Sequence, residues 1–256
     1  MTRVLRVEWW KLRRSRVSLA TTLLLALLVP GMGLGFYVVA VSGGTGAMAI
    51  KASALLRGDG WAGYLGLVDQ IAAVAIFIGA GVVVAWVFGR EHADRTFQAL
   101  FALPVSRSTI AAAKFVILAG WLAVLAIAIP VMALGLGVIA GVGSDGGGDA
   151  LVAELIRLLA ICSGAGLLAL PTGYVASVGR GYLPAIGALI ITVAAAQIAV
   201  LFGTGGWFPF AVPGLAAVTG TPGAPALSLA QVVLVPLVSL AGMAGTVRWW
   251  RRAEVV

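Results

Sequence analysis

Cysteine and histidine each occur once in this 256-residue chain, as Cys162 and His92. An intrachain disulfide is therefore excluded, and a metal site built from cysteine or histidine ligands is not expected. Charged residues are also scarce, at 10% of the sequence, whereas soluble domains carry about 25%. Because so few charges do not cover a water-facing surface, the sequence predicts an integral membrane protein.

Motifs for nucleotide binding and hydrolysis are missing as well. None of the three lysines follows a glycine, so the chain has no P-loop to hold a nucleotide phosphate. Neither H-E-x-x-H nor G-x-S-x-G occurs. Thr192 and Gln197 are the nearest candidates for polar groups at mid-membrane depth, and we expect them to form interhelical hydrogen bonds instead. The chain by itself is therefore predicted not to be an enzyme and to bind no cofactor.

What the chain has in abundance is apolar sequence, with 61% hydrophobic residues in continuous runs. A helix needs about 20 such residues to cross a bilayer. Six runs qualify, at about 18–41, 69–89, 114–141, 151–178, 184–203 and 229–247. The first run is too long for a signal peptide. We therefore predict one all-α transmembrane domain over residues 1–256.

The distribution of basic residues predicts the orientation of these spans. Of the 17 lysines and arginines, only Lys51, Arg57 and Arg157 fall on one side of a six-span arrangement. Cytoplasmic loops carry the excess of lysine and arginine in membrane proteins. Both termini are therefore predicted to be cytoplasmic. Since the basic residues collect at the ends of apolar runs, the net charge of +8 does not indicate nucleic-acid binding.

Residues 1–17 precede the first span and mix basic with apolar side chains. Val4, Val7 and Trp10 recur at near-helical spacing. This pattern predicts an interfacial helix along the inner leaflet, with its arginines near anionic headgroups. Its candidate functional residues are Glu8, Trp9, Trp10, Lys11 and Arg14.

Charges inside the spans are rare. Glu154 and Arg157 are three residues apart in the fourth span, on one helix face, and are predicted to form an ion pair. An ion-driven transporter usually has more intramembrane carboxylates. The energy for any transport is therefore expected to come from elsewhere.

Residues 89–107 form a polar interruption between the second and third spans. Gly89 is expected to loosen the end of the second span, and Asp94 to cap a short helix over about 91–103. Phe97, Leu100 and Phe101 then share one apolar face. Pro104 ends this helix, and a serine at 106 or 108 caps the next one. The helix rests either on lipid or in a protein groove, and its acidic residues favour the groove.

The same stretch resembles the E-x-x-x-G-T-x-x-x-L-L-x-x-P-V-S-R…K motif of type-2 ATP-binding-cassette (ABC) exporter permeases. The matching positions are Glu91, Thr96, Leu100, Pro104, Val105, Ser106, Arg107 and Lys114. Arg95 replaces the usual glycine, and Phe101 replaces the second leucine. The opening E-W-W-K-L-R-R-S is similar to the family's E-x-x-K-x-x-R-S. W-F-P-F-A-V-P at 207–213 is similar to its re-entrant outer segment.

The resemblance implies two permease chains, identical or different, each bound to a separate ABC ATPase that holds ATP and magnesium. The loop helix would be the coupling helix, with Phe97, Leu100 and Phe101 as anchors in an ATPase groove. Glu91, Asp94 and Arg95 would be its rim charges. The whole predicted coupling set is Glu91, Asp94, Arg95, Thr96, Phe97, Leu100, Phe101, Pro104 and Arg107.

The predicted function is thus the permease subunit of an exporter in the bacterial cytoplasmic membrane. Its kinked apolar interior suits amphipathic cargo such as a drug, an antibiotic peptide or a lipid. Two alternatives stay open at the level of sequence. One is an ATP-independent channel or carrier, and the other is a membrane-embedded assembly factor or enzyme.

Overall fold

A computed structural model of the chain describes residues 2–94, 96, 105–143, 147–221 and 223–252. These residues form helices and connecting turns, with no strand among them. The α-helices are α1 Thr2–Arg13, α2 Arg16–Val41, α3 Ala47–Ala54, α4 Gly60–Ala93, α5 Arg107–Ile139, α6 Gly147–Ala169, α7 Thr172–Val178, α8 Tyr182–Leu201, α9 Val212–Val218 and α10 Leu229–Arg252. The predicted all-α class is confirmed.

Six helical segments are long and apolar enough to cross a membrane. They are Arg16–Val41, Gly60–Ala93, Arg107–Ile139, Gly148–Val178, Tyr182–Leu201 and Leu229–Arg252. This count is the one that the apolar runs predicted. The fourth segment is interrupted at Leu170 and Pro171, where α6 gives way to α7. A proline lacks the N–H that would continue the helix, which explains the break.

The second span begins at Gly60, well before the predicted start at residue 69. An isolated carboxylate is costly to bury inside a membrane-spanning helix. In the structure Asp69 is fully buried inside α4, and its carboxylate lies 2.9 Å from the guanidinium of Arg57. The ion pair therefore allows the helix to continue through this position.

Helix α4 is the central element of the bundle. In its most apolar window 61% of the residues are buried, compared with 11% for α8. It packs against α2, α6, α7, α8 and α9. Helix α4 is thus positioned to pass a displacement at either end to most of the other helices.

Gly89 lies inside α4 and does not loosen its end, so that expectation is wrong. A Cβ atom on Gly89 would lie 2.5 Å from the backbone nitrogen of Tyr182 and 2.7 Å from the carbonyl carbon of Gly181. The glycine is required because the start of α8 crosses α4 in backbone contact.

Helix α1 and the last turns of α10 lie at the same end of the bundle. Lys114, near the start of α5, contacts Glu8 of α1, and its ammonium lies 5.8 Å from the ring of Trp250 in α10. This arrangement agrees with an even number of spans. The membrane side on which this end lies stays a prediction from the basic residues.

The segment between α8 and α10 contains the short helices that the family resemblance implied. Two 3₁₀ turns, Gly205–Trp207 and Pro209–Ala211, lead into α9. Ala211, Val212 and Leu215 are buried, and α9 packs against α4 and α6. The depth of this segment in the membrane stays a prediction.

Candidate functional site

Lys114 is the centre of a buried group of charges at the end of the bundle where α1 and the last turns of α10 lie. Its side chain is 1% exposed, although it sits only two turns into α5. Its ammonium lies 2.9 Å from Glu91 Oε1 and 3.1 Å from Glu8 Oε2, and donates to the Val87 carbonyl at 3.0 Å. All three N–H donors of this lysine therefore have acceptors within the chain.

Lys11 completes the group from the next turn of α1. Its ammonium lies 2.5 Å from Glu8 Oε1 and 3.3 Å from Glu91 Oε1. We refer to Glu8, Lys11, Glu91 and Lys114 as the inner ion network. Two carboxylates and two ammonium groups balance each other, which is the condition for placing charges out of contact with water.

The network lies in an apolar setting. The Lys114 ammonium is 5.9 Å from the Phe88 ring and 5.8 Å from the Trp250 ring. The Trp250 indole donates to Ser177 Oγ at 2.9 Å, which connects α10 to α7. These rings keep water away from one side of the network, so its electrostatic attractions are stronger than at a surface.

The pKa of the Glu8 carboxyl records the balance of these effects. Burial raises its pKa, but the nearby ammonium groups of Lys114 and Lys11 together outweigh burial and hold the pKa below its ordinary value. Glu8 is therefore a carboxylate in the folded protein at neutral pH. Its negative charge is needed to match the two lysines.

The network joins α1, the last turn of α4 and the first turns of α5. Glu91 lies in the last turn of α4 before the loop to α5, and Lys114 lies two turns into α5 after it. An ion contact between Glu91 and Lys114 therefore closes the base of this loop. Removing one member of a buried pair typically costs about 3–5 kcal/mol, so the base of the loop is a firm connection.

The structure describes only part of the predicted coupling helix. Residues 91–93 belong to the end of α4, so the predicted start at 91 is wrong. Asp94 is the C-terminal cap of α4, and its N–H donates to the Arg90 carbonyl at 2.7 Å. The Thr96 N–H donates to the Glu91 carbonyl at 2.9 Å. Arg95, Phe97, Leu100, Phe101 and Pro104 lie outside the described residues.

The far side of the loop follows the prediction. Ser106 is the N-terminal cap of α5, and its hydroxyl accepts a hydrogen bond from the Thr109 N–H at 3.2 Å. Arg107 is the first residue of α5. The serine cap fixes where the loop ends and the third span begins.

Glu91 differs from the rim charge that the family resemblance implied. Its side chain is 3% exposed and faces Lys114 and Lys11. An exposed rim charge must reach a partner protein, and Glu91 is instead used within the chain. The physical reason is its position inside the last turn of α4, where the neighbouring helices bury it.

Helix α1 has two different faces. Glu8 and Leu12 are buried against the bundle, whereas Val7 and Trp10 are 53% and 54% exposed. Trp9 is also exposed, and the Arg14 guanidinium lies 4.5 Å from the centre of the Trp10 ring. Val7 and Trp10 are thus free for contact with lipid, as an interfacial helix requires. The buried carboxylate of Glu8 was not anticipated as part of such a helix.

The predicted pair of Glu154 with Arg157 is wrong. Glu154 Oε2 instead contacts the Arg57 guanidinium, which also reaches Asp69. Arg157 Nη1 donates to the Thr219 carbonyl at 2.8 Å. The prediction considered only residues on one helix, whereas Arg57 comes from the loop between α3 and α4. We call Arg57, Asp69 and Glu154 the outer ion cluster, since it lies at the opposite end of the bundle.

A cavity of about 320 Å³ separates α4 from α8, with α9 as a third wall. The polar side chains among its described lining residues are Gln70, Thr192 and Gln197, and the aromatic ones are Phe77 and Phe210. Thr192 does not form the expected interhelical bond, because its hydroxyl donates to the Ala188 carbonyl in α8. The cavity offers an amphipathic molecule an apolar enclosure with a few hydrogen-bonding groups.

Sequence reasoning missed the convergence of residues from separate motifs. Glu8, Lys11, Glu91 and Lys114 belong to two motif stretches that lie far apart in the chain. One feature of the sequence could have indicated this convergence. Charged residues next to apolar spans are rare in this chain, and two acidic and two basic residues in such positions need partners of opposite charge. Within the described ranges, no group of three or more His, Cys, Asp or Glu residues is arranged to hold a metal ion.

Comparison with known proteins relates the chain to a described family. Residues 4–196 match the sequence model of a family described as "ABC-2 family transporter protein". No curated protein matches the chain. The matched range includes the inner ion network, the loop between α4 and α5, and most of α8.

Proposed function

This chain belongs to the ABC-2 family of transporter proteins, and from that premise we propose that it is the permease of an ATP-driven exporter. Its ATPase is a separate chain that binds ATP and magnesium. The permease itself hydrolyses nothing and works in the bacterial cytoplasmic membrane. The observation that carries this proposal is the inner ion network, which fastens the base of the loop between α4 and α5 to α1.

The loop is the surface through which the ATPase acts. Phe97, Leu100 and Phe101 recur at helical spacing and supply an apolar face for a groove on the ATPase. Asp94 and Arg95 orient the contact by charge. Because Glu91 and Lys114 close the base of the loop, a push on it is transmitted to α4 and α5 together.

Helix α4 then carries the displacement through the bundle. It packs against α2 and α8, which are the first and fifth spans. ATP bound to the partner favours one of two arrangements of these spans, and nucleotide release favours the other. A second permease chain, identical or different, completes the translocation path.

The cargo is amphipathic, for instance a drug, an antibiotic peptide or a lipid. The cavity between α4, α8 and α9 supports this class, because apolar walls surround a few amide and hydroxyl groups. A strongly charged solute would find no counter-ion among the described lining residues. The cavity lies beside spans that the mechanism moves.

Co-purification tests the proposal. Tagged permease is co-expressed with an ABC ATPase from a neighbouring reading frame and extracted in mild detergent. We expect wild type to retain the ATPase and the double variant Phe97→Asp/Phe101→Asp to lose it while still inserting into the membrane. Phe202→Asp, an exposed aromatic position at the opposite end of the bundle, is the matched control. Normal co-purification of the double variant would falsify the docking step.

A further inference from the structure

The outward face of α1 carries a groove that shares only Lys11 with the inner ion network. It is lined by Arg6, Val7, Trp10, Lys11 and Arg14. The charged side chains among these lining residues are all basic. The apolar ones, Val7 and Trp10, are about half exposed. The groove therefore combines positive charge with uncovered apolar surface.

The position of the groove brings it to the membrane surface. Helix α1 ends at Arg13, and the first membrane span begins at Arg16. The opposite face of α1 is packed on the bundle through Leu12. The groove thus faces away from the protein, at the level where the first span enters the bilayer.

We propose that this groove binds the phosphodiester headgroup of an anionic phospholipid. Arginine side chains form paired hydrogen bonds to phosphate oxygens. The Arg14 guanidinium already lies 4.5 Å from the centre of the Trp10 ring, so one donor set is held beside the aromatic side chain. Val7 and Trp10 provide surface for the glycerol and upper acyl region. Inorganic phosphate has no such apolar part.

Lys11 connects the groove to the inner ion network. Its ammonium has three donors, and it contacts Glu8 and Glu91. It is 29% exposed, so it reaches both the network and the groove. A bound lipid phosphate adds an acceptor to Lys11 and thereby stabilises α1 in its position against α4 and α5. The lipid is a structural ligand of the permease, independent of ATP.

Native mass spectrometry of the full chain in detergent tests this inference. Equal amounts of phosphatidylglycerol and phosphatidylcholine with identical acyl chains are added to the protein. We expect preferential retention of phosphatidylglycerol, and a loss of that preference on the order of tenfold in Arg6→Gln/Arg14→Gln. Arg3→Gln/Arg13→Gln removes two charges from the same helix outside the groove and should keep the preference.

A second variant tests whether any loss of lipid preference comes from misfolding instead of from the lost arginine contacts. Arg6→Lys/Arg14→Lys keeps the charges but loses the paired hydrogen bonds, so it should retain more of the preference than the glutamine double variant and less than wild type. Equal retention of the two lipids by wild type overturns the proposal, as does an unchanged preference in the glutamine double variant. Displacement of the lipid by matched inorganic phosphate would show a phosphate site only. If the glutamine double variant loses ATPase binding but keeps the lipid preference, this face of α1 binds the ATPase and the lipid proposal is overturned. Neither readout requires transport, so the proposed function is tested separately.

Discussion

The ammonium of Lys114 lies 2.9 Å from the carboxylate of Glu91, although 23 positions separate the two residues in sequence. Glu91 lies in the last turn of α4, and Lys114 lies two turns into α5, so the two residues flank the loop between these helices. Both side chains are almost fully buried. A direct ionic contact thus joins the two helices that flank the loop on which the ATPase is proposed to act.

Loss of Lys114 should destabilise the protein strongly. Lys114→Met leaves two buried carboxylates with only Lys11 as a cation, and we expect the free energy of unfolding to fall by about 3–5 kcal/mol. Unfolding in detergent, followed by tryptophan fluorescence, measures this change. Lys51→Met, at an exposed position of α3, is the control and should have little effect. A similar stability for the two variants would contradict the importance of the network.

The outer ion cluster makes a different prediction about two arginines. Arg57 contacts both Asp69 and Glu154, whereas Arg157 donates to a backbone carbonyl. Arg57→Gln should therefore reduce the free energy of unfolding by several kcal/mol, and Arg157→Gln by about 1–3 kcal/mol. Chemical denaturation of the two variants side by side checks the order. If Arg157→Gln proves the more damaging, the cluster is misassigned.

Gly89 should not tolerate even one added methyl group. A Cβ atom there meets the backbone of Gly181 and Tyr182 at less than 3.0 Å, and backbone atoms do not move aside easily. We expect Gly89→Ala to lower folded yield and thermal stability. Gly120→Ala adds the same group to α5 where nothing lies within 4 Å, so it should be neutral or slightly stabilising. Equal behaviour of the two alanine variants would argue against the contact between α4 and α8.

Acid should weaken the contribution of Glu8. Because the folded protein holds the pKa of this carboxyl below its ordinary value of 4.5, the carboxylate stabilises the fold above about pH 4.5. That contribution disappears as the pH falls through the lower pKa of the folded state. Wild type should therefore be more stable than Glu8→Gln at pH 7, with a gap that narrows below about pH 4.5. A gap that is independent of pH would mean that Glu8 acts without its charge.

Apolar runs and basic flanks were sufficient to predict the fold class and the number of spans. Continuous hydrophobic segments have few alternatives in a bilayer, because every backbone polar group must be satisfied within the segment. The predicted start of α4 at residue 69 was too late, since the helix begins at Gly60. Its buried Asp69 depends on Arg57, a partner that helical spacing does not reveal.

The candidate site was predictable as a set of residues but not as an arrangement. Glu8, Lys11, Glu91 and Lys114 all stood in recognisable motif positions. Their contact depends on how α1 packs on α5, which is a tertiary property. The same reasoning explains the error with Glu154 and Arg157, where a neighbour on the same helix was chosen over a loop residue from elsewhere in the chain.

The most direct test asks whether ATP on a separate chain moves this one. In a Cys162→Ser background, spin labels at Ser42 and Phe202 report the distance between the ends of α2 and α8. Both positions are exposed. With the ATPase bound, we predict that ATP, magnesium and vanadate shift the distance distribution, and that Phe97→Asp/Phe101→Asp abolishes the shift. A distribution that nucleotide leaves unchanged while the ATPase is bound would contradict the account.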